Sequence, residues 1–122
     1  MKERSDTVVE GHFSCAECGA RAGSVQLFGN HSTAEIRRAS FTSLLSGPVP
    51  VSQFDDLRIA IWKEDARALF ELDFEYAPFF CPECNAIYCG AHWQTMDEFD
   101  DDGYHDCIRG SCPNGHDRML ED

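Results

Sequence analysis

The chain has 122 residues and a formal charge of −12, from 22 acidic and 10 basic side chains. That length suits a single domain, and its hydrophobic share of 43% argues against global disorder. Polyanion binding needs clustered Lys/Arg, but the only adjacent basic pair is Arg37-Arg38, so nucleic acid is a poor partner for this chain.

Residues 1–11 are polar and read as a flexible N-terminal tail. Met1 to Asp6 lacks the apolar core of a signal peptide. No run approaches the ~18 apolar residues of a membrane span. A soluble, cytoplasmic protein with no membrane partner is expected. Cys15-Ala-Glu-Cys18-Gly19 has the form of a metal knuckle, with Gly19 free to adopt the left-handed conformation. Val25 to Phe28 reads as a short strand ended by Gly29-Asn30. The first part of the segment from Ala34 to Leu45 reads as another strand, and Gly47-Pro48-Val49-Pro50 as a loop.

Helical spacing begins after Ser52, a candidate N-cap with Asp55 three residues on. Phe54, Leu57 and Ile61 form one stripe, which breaks at Lys63-Glu64-Asp65. Asp65 can cap a second short helix carrying Ala66, Leu69 and Leu72. A helical hairpin over about 52–73 is predicted, packed on the knuckles through Phe54, Leu57, Ile61 and Leu69. Pro78 disfavours helix at Ala77, so the chain should run extended through Phe79-Phe80. Trp93 to Phe99 and Tyr104 to Ile108 flank Asp100-Asp101-Asp102-Gly103, a hairpin signal with Gly103 at the positive-φ position.

Four ordered pairs carry the chemistry: Cys15-x2-Cys18, Cys81-x2-Cys84, Cys89-x2-His92 and Cys112-x3-His116. Such spacing lets one turn aim two side chains at one ion, and zinc takes four tetrahedral sulfur or nitrogen donors. Eight ligands make two structural Zn2+ sites. A disulfide framework is the poorer reading, since the chain has 7 cysteines, an odd number, in paired spacings. Six thiolates against two dications would add a further −2, bringing the charge to about −14. A basic protein partner suits that field.

Two pairings of the ligands are open. In sequential order, Cys15, Cys18, Cys81 and Cys84 hold one ion while Cys89, His92, Cys112 and His116 hold the other. In an interleaved cross-brace the first pair joins the third and the second joins the fourth. The sequential order is preferred, giving one all-thiolate site and one Cys2His2 site. The long insert is no obstacle, because closure entropy grows by only about 0.6 kcal/mol per doubling of loop length. The fold class is then α+β: zinc knuckles and short antiparallel β-hairpins, with the helical hairpin inserted, in one two-zinc domain over residues 12–122.

The segment Cys81-Pro-x-Cys84-x3-Tyr88-Cys89-x2-His92-Trp93 resembles the centre of in-between-RING domains, which sit beside RING domains in one class of ubiquitin ligases. That resemblance implies sequential sites, Cys84 ending the first and Cys89 beginning the second. His92 stands where that family has Cys, and the insert before Cys81 is longer. The whole chain is also similar to small bacterial double-zinc proteins ending in Cys-Pro-x-Gly-His, a likeness that names no activity.

Eight ligands fill two sites and leave no open catalytic position. No Gly-rich phosphate loop or Ser-His-Asp pattern appears. The chain reads as a non-enzyme, with Cys107 the one residue that would support an activity. Cys107 is the odd thiol, open to three readings: a core side chain, a substitute ligand together with His105, or a nucleophile activated by His105 and Arg109. His12 and His31 look like isolated surface residues. Asp97 to Asp102 reads as a charged hairpin tip, and Phe74, Tyr76, Phe79 and Phe80 as core rather than docking surface. An interaction adaptor is the leading function, followed by a ligase-like factor and by a redox or zinc sensor.

Overall fold

The computed structural model describes residues 7–99, 103 and 105–121. Among these residues, three antiparallel sheets and two helices build the fold. Strands β1 (Thr7–Ser14), β2 (Arg21–Gly29), β3 (Ala34–Ser40) and β4 (Leu44–Pro48) make a four-stranded meander in that order. Helices α1 (Phe54–Trp62) and α2 (Ala66–Leu72) follow. A two-stranded hairpin, β5 (Phe80–Cys81) with β6 (Ala86–Ile87), comes next. The last sheet pairs β7 (Gln94–Phe99), β8 (His105–Ser111) and β9 (Asp117–Glu121). The small mixed fold with its helical insert is as expected, but the meander is larger than a set of short hairpins.

Register explains which residues enter the core. Val25 pairs with Gly11 and Arg38, and Leu27 with Val9 and Ile36, so these side chains share one face. Helix α1 covers that face with Phe54, Leu57 and Ile61, all buried, and Leu69 of α2 is buried beside them. Phe54, Leu57 and Ile61 therefore pack on the meander rather than on the knuckles, whereas α2, which carries Leu69, lies against β5 of the second knuckle as expected. Contact with the second knuckle runs through Arg67, whose guanidinium reaches the Asn85 amide oxygen at 3.0 Å and the Pro82 carbonyl at 2.8 Å. Phe79 lies against β2, stacked on Phe13 at 5.0 Å. Gly23 permits this, because a Cβ there would stand 2.6 Å from the Phe79 ring. Tyr76 and Phe80 are buried with it, so these aromatics belong to the core.

The helical punctuation is close to the sequence reading, with one exception. The Asp65 side chain accepts from the Ala68 N–H at 3.1 Å and caps α2. Glu64 makes the bend at φ 53°. Ser52 does not cap α1; it lies inside a 3-10 turn, Val51–Gln53, that feeds directly into the helix. Pro50 starts that turn, and a fixed φ suits such an entry.

Two strands contradict the chain-order reading. Residues 7–11, expected in the tail, belong to β1, where Gly11 and Phe13 are buried against α1 and Phe79. Residues 1–6 of that tail lie outside the described residues. Gly47 and Pro48, expected in a loop, end β4, which is the outer strand of the meander. Proline is tolerated there, where no further strand requires its N–H. The β7–β8 hairpin stands where predicted, and Gly103 has φ 85°. Residues 100–102 of the acidic run lie outside the described residues.

The most unexpected core member is Arg38, fully buried on β3. Its guanidinium donates to the Glu75 carbonyl at 2.9 Å and the Ser43 carbonyl at 2.8 Å, and it pairs with Glu121 at 3.3 Å. Ser43 Oγ also donates to Glu121. This one side chain ties the meander to the segment before Cys81 and to the terminal strand. Burial lowers the Arg38 pKa, and Glu121 opposes the shift. Among the described residues, no helix is long and apolar enough to cross a membrane.

Candidate metal centres

All eight expected ligands lie in connections between strands or at their edges. Cys15 and Cys18 occupy the β1–β2 turn, and Cys81 and Cys84 the β5–β6 turn. Cys89 and His92 lie between β6 and β7, and Cys112 and His116 between β8 and β9. The structure gathers them into two clusters that could each hold a metal ion: Cys15, Cys18, Cys89, His92, and Cys81, Cys84, Cys112, His116. In each, the four ligand atoms all lie within 4.8 Å of one another.

The pairing is interleaved, which overturns the preferred sequential order. Both clusters are Cys3His; neither is all-thiolate or Cys2His2. The cause is the β5–β6 hairpin. Phe80 pairs with Ile87 and Cys81 with Ala86, so Cys81 and Cys84 sit at its tip while the outgoing leg carries Cys89 back toward its base. There the Ala16 N–H donates to the Ile87 carbonyl at 2.7 Å and docks the first knuckle beside Cys89. Residues close in sequence are thus held at opposite ends of one hairpin. The sequential order implied by the in-between-RING resemblance is not the order in this fold.

The donor geometry fits a tetrahedral ion. With sulfur at about 2.3 Å and nitrogen at about 2.0–2.1 Å from a shared centre, tetrahedral angles put sulfurs about 3.8 Å apart and sulfur about 3.5–3.6 Å from nitrogen. In the first cluster Cys18 and Cys89 sulfurs are 3.7 Å apart, and His92 Nδ1 lies 3.5 Å from Cys15 and 3.4 Å from Cys89. In the second, Cys84 and Cys112 sulfurs are 3.8 Å apart, with His116 Nδ1 at 3.7, 3.4 and 3.4 Å from Cys81, Cys84 and Cys112. Disulfide sulfurs stand about 2.05 Å apart, so these are metal-type spacings.

Backbone N–H groups complete the surroundings of the sulfurs. Glu17 donates to Cys15 at 3.4 Å, Cys84 to Cys81 at 3.4 Å, and Asn114 to Cys112 at 3.3 Å. Gly19 has φ 79° and closes the first knuckle through its N–H to the Cys15 carbonyl. Burial works against the Cys15 thiolate, but N–H groups of Cys89, Cys18 and Glu17 together outweigh it and bring the thiol to about 6. The Tyr88 hydroxyl, followed by the Asn114 amide, brings Cys84 to about 6 as well. Burial pushes Cys81 up to about 12. A bound dication overrides such differences by deprotonating every coordinating thiol.

Asn114 escaped the sequence reading. Its amide lies 3.1 Å from Cys84 Sγ and so bridges the two knuckles of the second cluster. The one available signal was its place before Gly115 (φ 88°) in the Cys112–His116 turn. Arg118 is a second omission: it donates to the carbonyls of Ala77, Phe80 and Phe74, and lies 4.9 Å over the Phe70 ring. It fastens the strand after His116 to the segment before Cys81.

Cys107 lies in neither cluster. It is 2% exposed, and its thiol donates to Glu98 on the neighbouring strand at 3.5 Å. The side chain of His105 lies outside the described residues. His31 is not isolated, as its Nε2 is 3.0 Å from Asp55 Oδ1 and its ring 4.4 Å from Phe54, joining the β2–β3 turn to α1. His12 is 3.0 Å from Glu10, and its N–H donates to Glu64.

Over residues 4–122 the chain matches the family described as Domain of unknown function (DUF8328), and it belongs to that family. No curated protein and no solved structure gives a match.

Proposed function

We propose that this protein is a zinc-stabilised interaction module, with one structural Zn2+ in each Cys3His cluster and a protein as its partner. The observation that carries this reading is the pair of four-donor clusters, with ligand atoms within 4.8 Å and spacings suited to a tetrahedral ion. Cys3His is a familiar structural donor set, and four protein donors leave no position for a substrate. The ions hold together turns from all three sheets, so folding and metal binding are one process.

Protein purified without added metal should carry close to two equivalents of zinc. A chelator that removes both should abolish the near-UV circular dichroism signal. One equivalent, or an unchanged spectrum after complete removal, refutes the reading.

A sensor is the second reading, favoured by Cys18. It is the exposed thiol of the set, 3.7 Å from Cys89. One peroxide with two protons would take two electrons from these thiolates, giving a disulfide and two waters and freeing the ion. Mild peroxide should then release one equivalent first; simultaneous loss of both speaks against it. The ligase-like alternative has less support. The ligand order differs from that of in-between-RING domains, and Cys107 is too buried to act as a nucleophile.

A further inference from the structure

The chain is strongly acidic, yet one groove on it has the opposite character. Val8, Val9, Arg58, Ile59, Trp62 and Lys63 enclose about 520 Å³ between β1 and the outer side of α1. Trp62 is 73% exposed, Ile59 43% and Val8 39%. The other tryptophan, Trp93, is buried with its indole N–H on the Phe79 carbonyl. An exposed indole bordered by aliphatic side chains is the kind of anchor that interfaces concentrate.

The lining of the groove has Arg58 and Lys63 and no carboxylate, while the far side of Ile59 and Lys63 faces a separate hollow lined by Asp56, Asp65 and Glu71. Arg58, 43% exposed, pairs with Asp55, 61% exposed, at 3.6 Å, and Lys63 has no ion pair among the described residues. The groove runs beside β1, the edge strand of the meander. Glu64 covers one end of that edge by accepting from the His12 N–H at 2.8 Å.

We propose that this groove docks an extended segment of another protein in which acidic residues alternate with large apolar side chains. The apolar side chains cover Trp62, Ile59 and Val8, and the carboxylates face Arg58 and Lys63. The sign is opposite to that expected from the net charge, because the groove is a local exception to the −12 of the chain. The inference rests on the interaction-module reading but not on the identity of the metal.

The probe is a blocked, fluorescein-labelled decapeptide alternating aspartate with leucine or phenylalanine, titrated with the zinc-loaded protein. Saturable polarisation with a Kd below about 1 mM is expected, weakening as salt is raised. Trp62→Ala and Lys63→Glu should each weaken binding about tenfold or more. Both positions are on the surface, so zinc content and melting temperature should be unchanged. A lysine-for-aspartate peptide should not bind.

Absence of saturation by two-zinc protein overturns this proposal alone, whereas absence of zinc overturns the preceding one. Equal binding by either variant or by the lysine peptide also refutes it. Vesicles of anionic phospholipid that protect Trp62 from acrylamide quenching would reassign the groove to a membrane. Concentration-dependent self-association that the peptide abolishes would reassign it to a second copy of the chain.

Discussion

Replacing Arg38 with alanine tests the reading of the fold most directly, because Arg38 and Arg37 are indistinguishable as a basic pair in the sequence but occupy opposite faces of β3. Arg38 is fully buried, and its truncation removes the donors to the Glu75 and Ser43 carbonyls and the partner of Glu121. Removing one member of a buried ion pair costs about 3–5 kcal/mol, because the other charge is left without compensation. Unfolding entropy of roughly 2.1 cal/mol/K per residue gives about 0.26 kcal/mol/K for 122 residues. The melting temperature should therefore fall by about 12–20 °C. Arg37 is half-buried, with its guanidinium 5.3 Å above the Phe28 ring. Arg37→Ala should cost about 1 kcal/mol or less, under about 4 °C. Both variants would be melted with free zinc buffered at one value, since metal binding itself shifts the transition. Similar shifts for the two, or a loss below about 1 kcal/mol for Arg38→Ala, would refute the buried-pair argument.

The interleaved pairing can be read from metal counts. Cys15→Ser combined with Cys89→Ser should cost one ion, as either change does alone, because both residues serve the same cluster; native mass spectrometry gives the count. Cys15→Ser with Cys81→Ser should cost both ions, whereas a sequential arrangement predicts the reverse outcome for the two pairs. Cys107→Ala should keep two ions and lose about 1–2 kcal/mol, in keeping with a small buried side chain. In the native protein Cys107 should react with iodoacetamide far more slowly than a free thiol does, and rapid labelling would restore the nucleophile reading.

The eight candidate ligands were legible because knuckle spacing is a local property: two donors in one turn. Which knuckles meet is not local. It depends on the β5–β6 hairpin, whose strands are two residues each and too short to show a period. The Asp65 cap and the breaks at Glu64 and Gly103 were legible for the same reason as the knuckles. Strand β1 carried a signal that was missed, the β-branched run Thr7-Val8-Val9, because the largely charged residues 2–6 before it and Glu10 and Gly11 after it made the whole stretch read as a tail. Arg38 was hidden because burial of a guanidinium depends on carbonyls and a carboxylate supplied from 5 to 83 residues away.

The interleaved arrangement also sets a timetable for biosynthesis. Cys18 and its partner Cys89 are separated by 71 positions. At about 5–20 residues per second of synthesis, the first knuckle waits about 4–14 s for its proper partners to follow it off the ribosome. Within that interval Cys81 and Cys84 appear before Cys89 and His92, and they offer the first knuckle a complete but incorrect set of four thiolates. Only when residues 89–92 follow can the correct set compete for the ion. If metal is taken up during synthesis, the native pairing would have to outcompete that all-thiolate set, and a pause in translation just after Cys84 would prolong the competition.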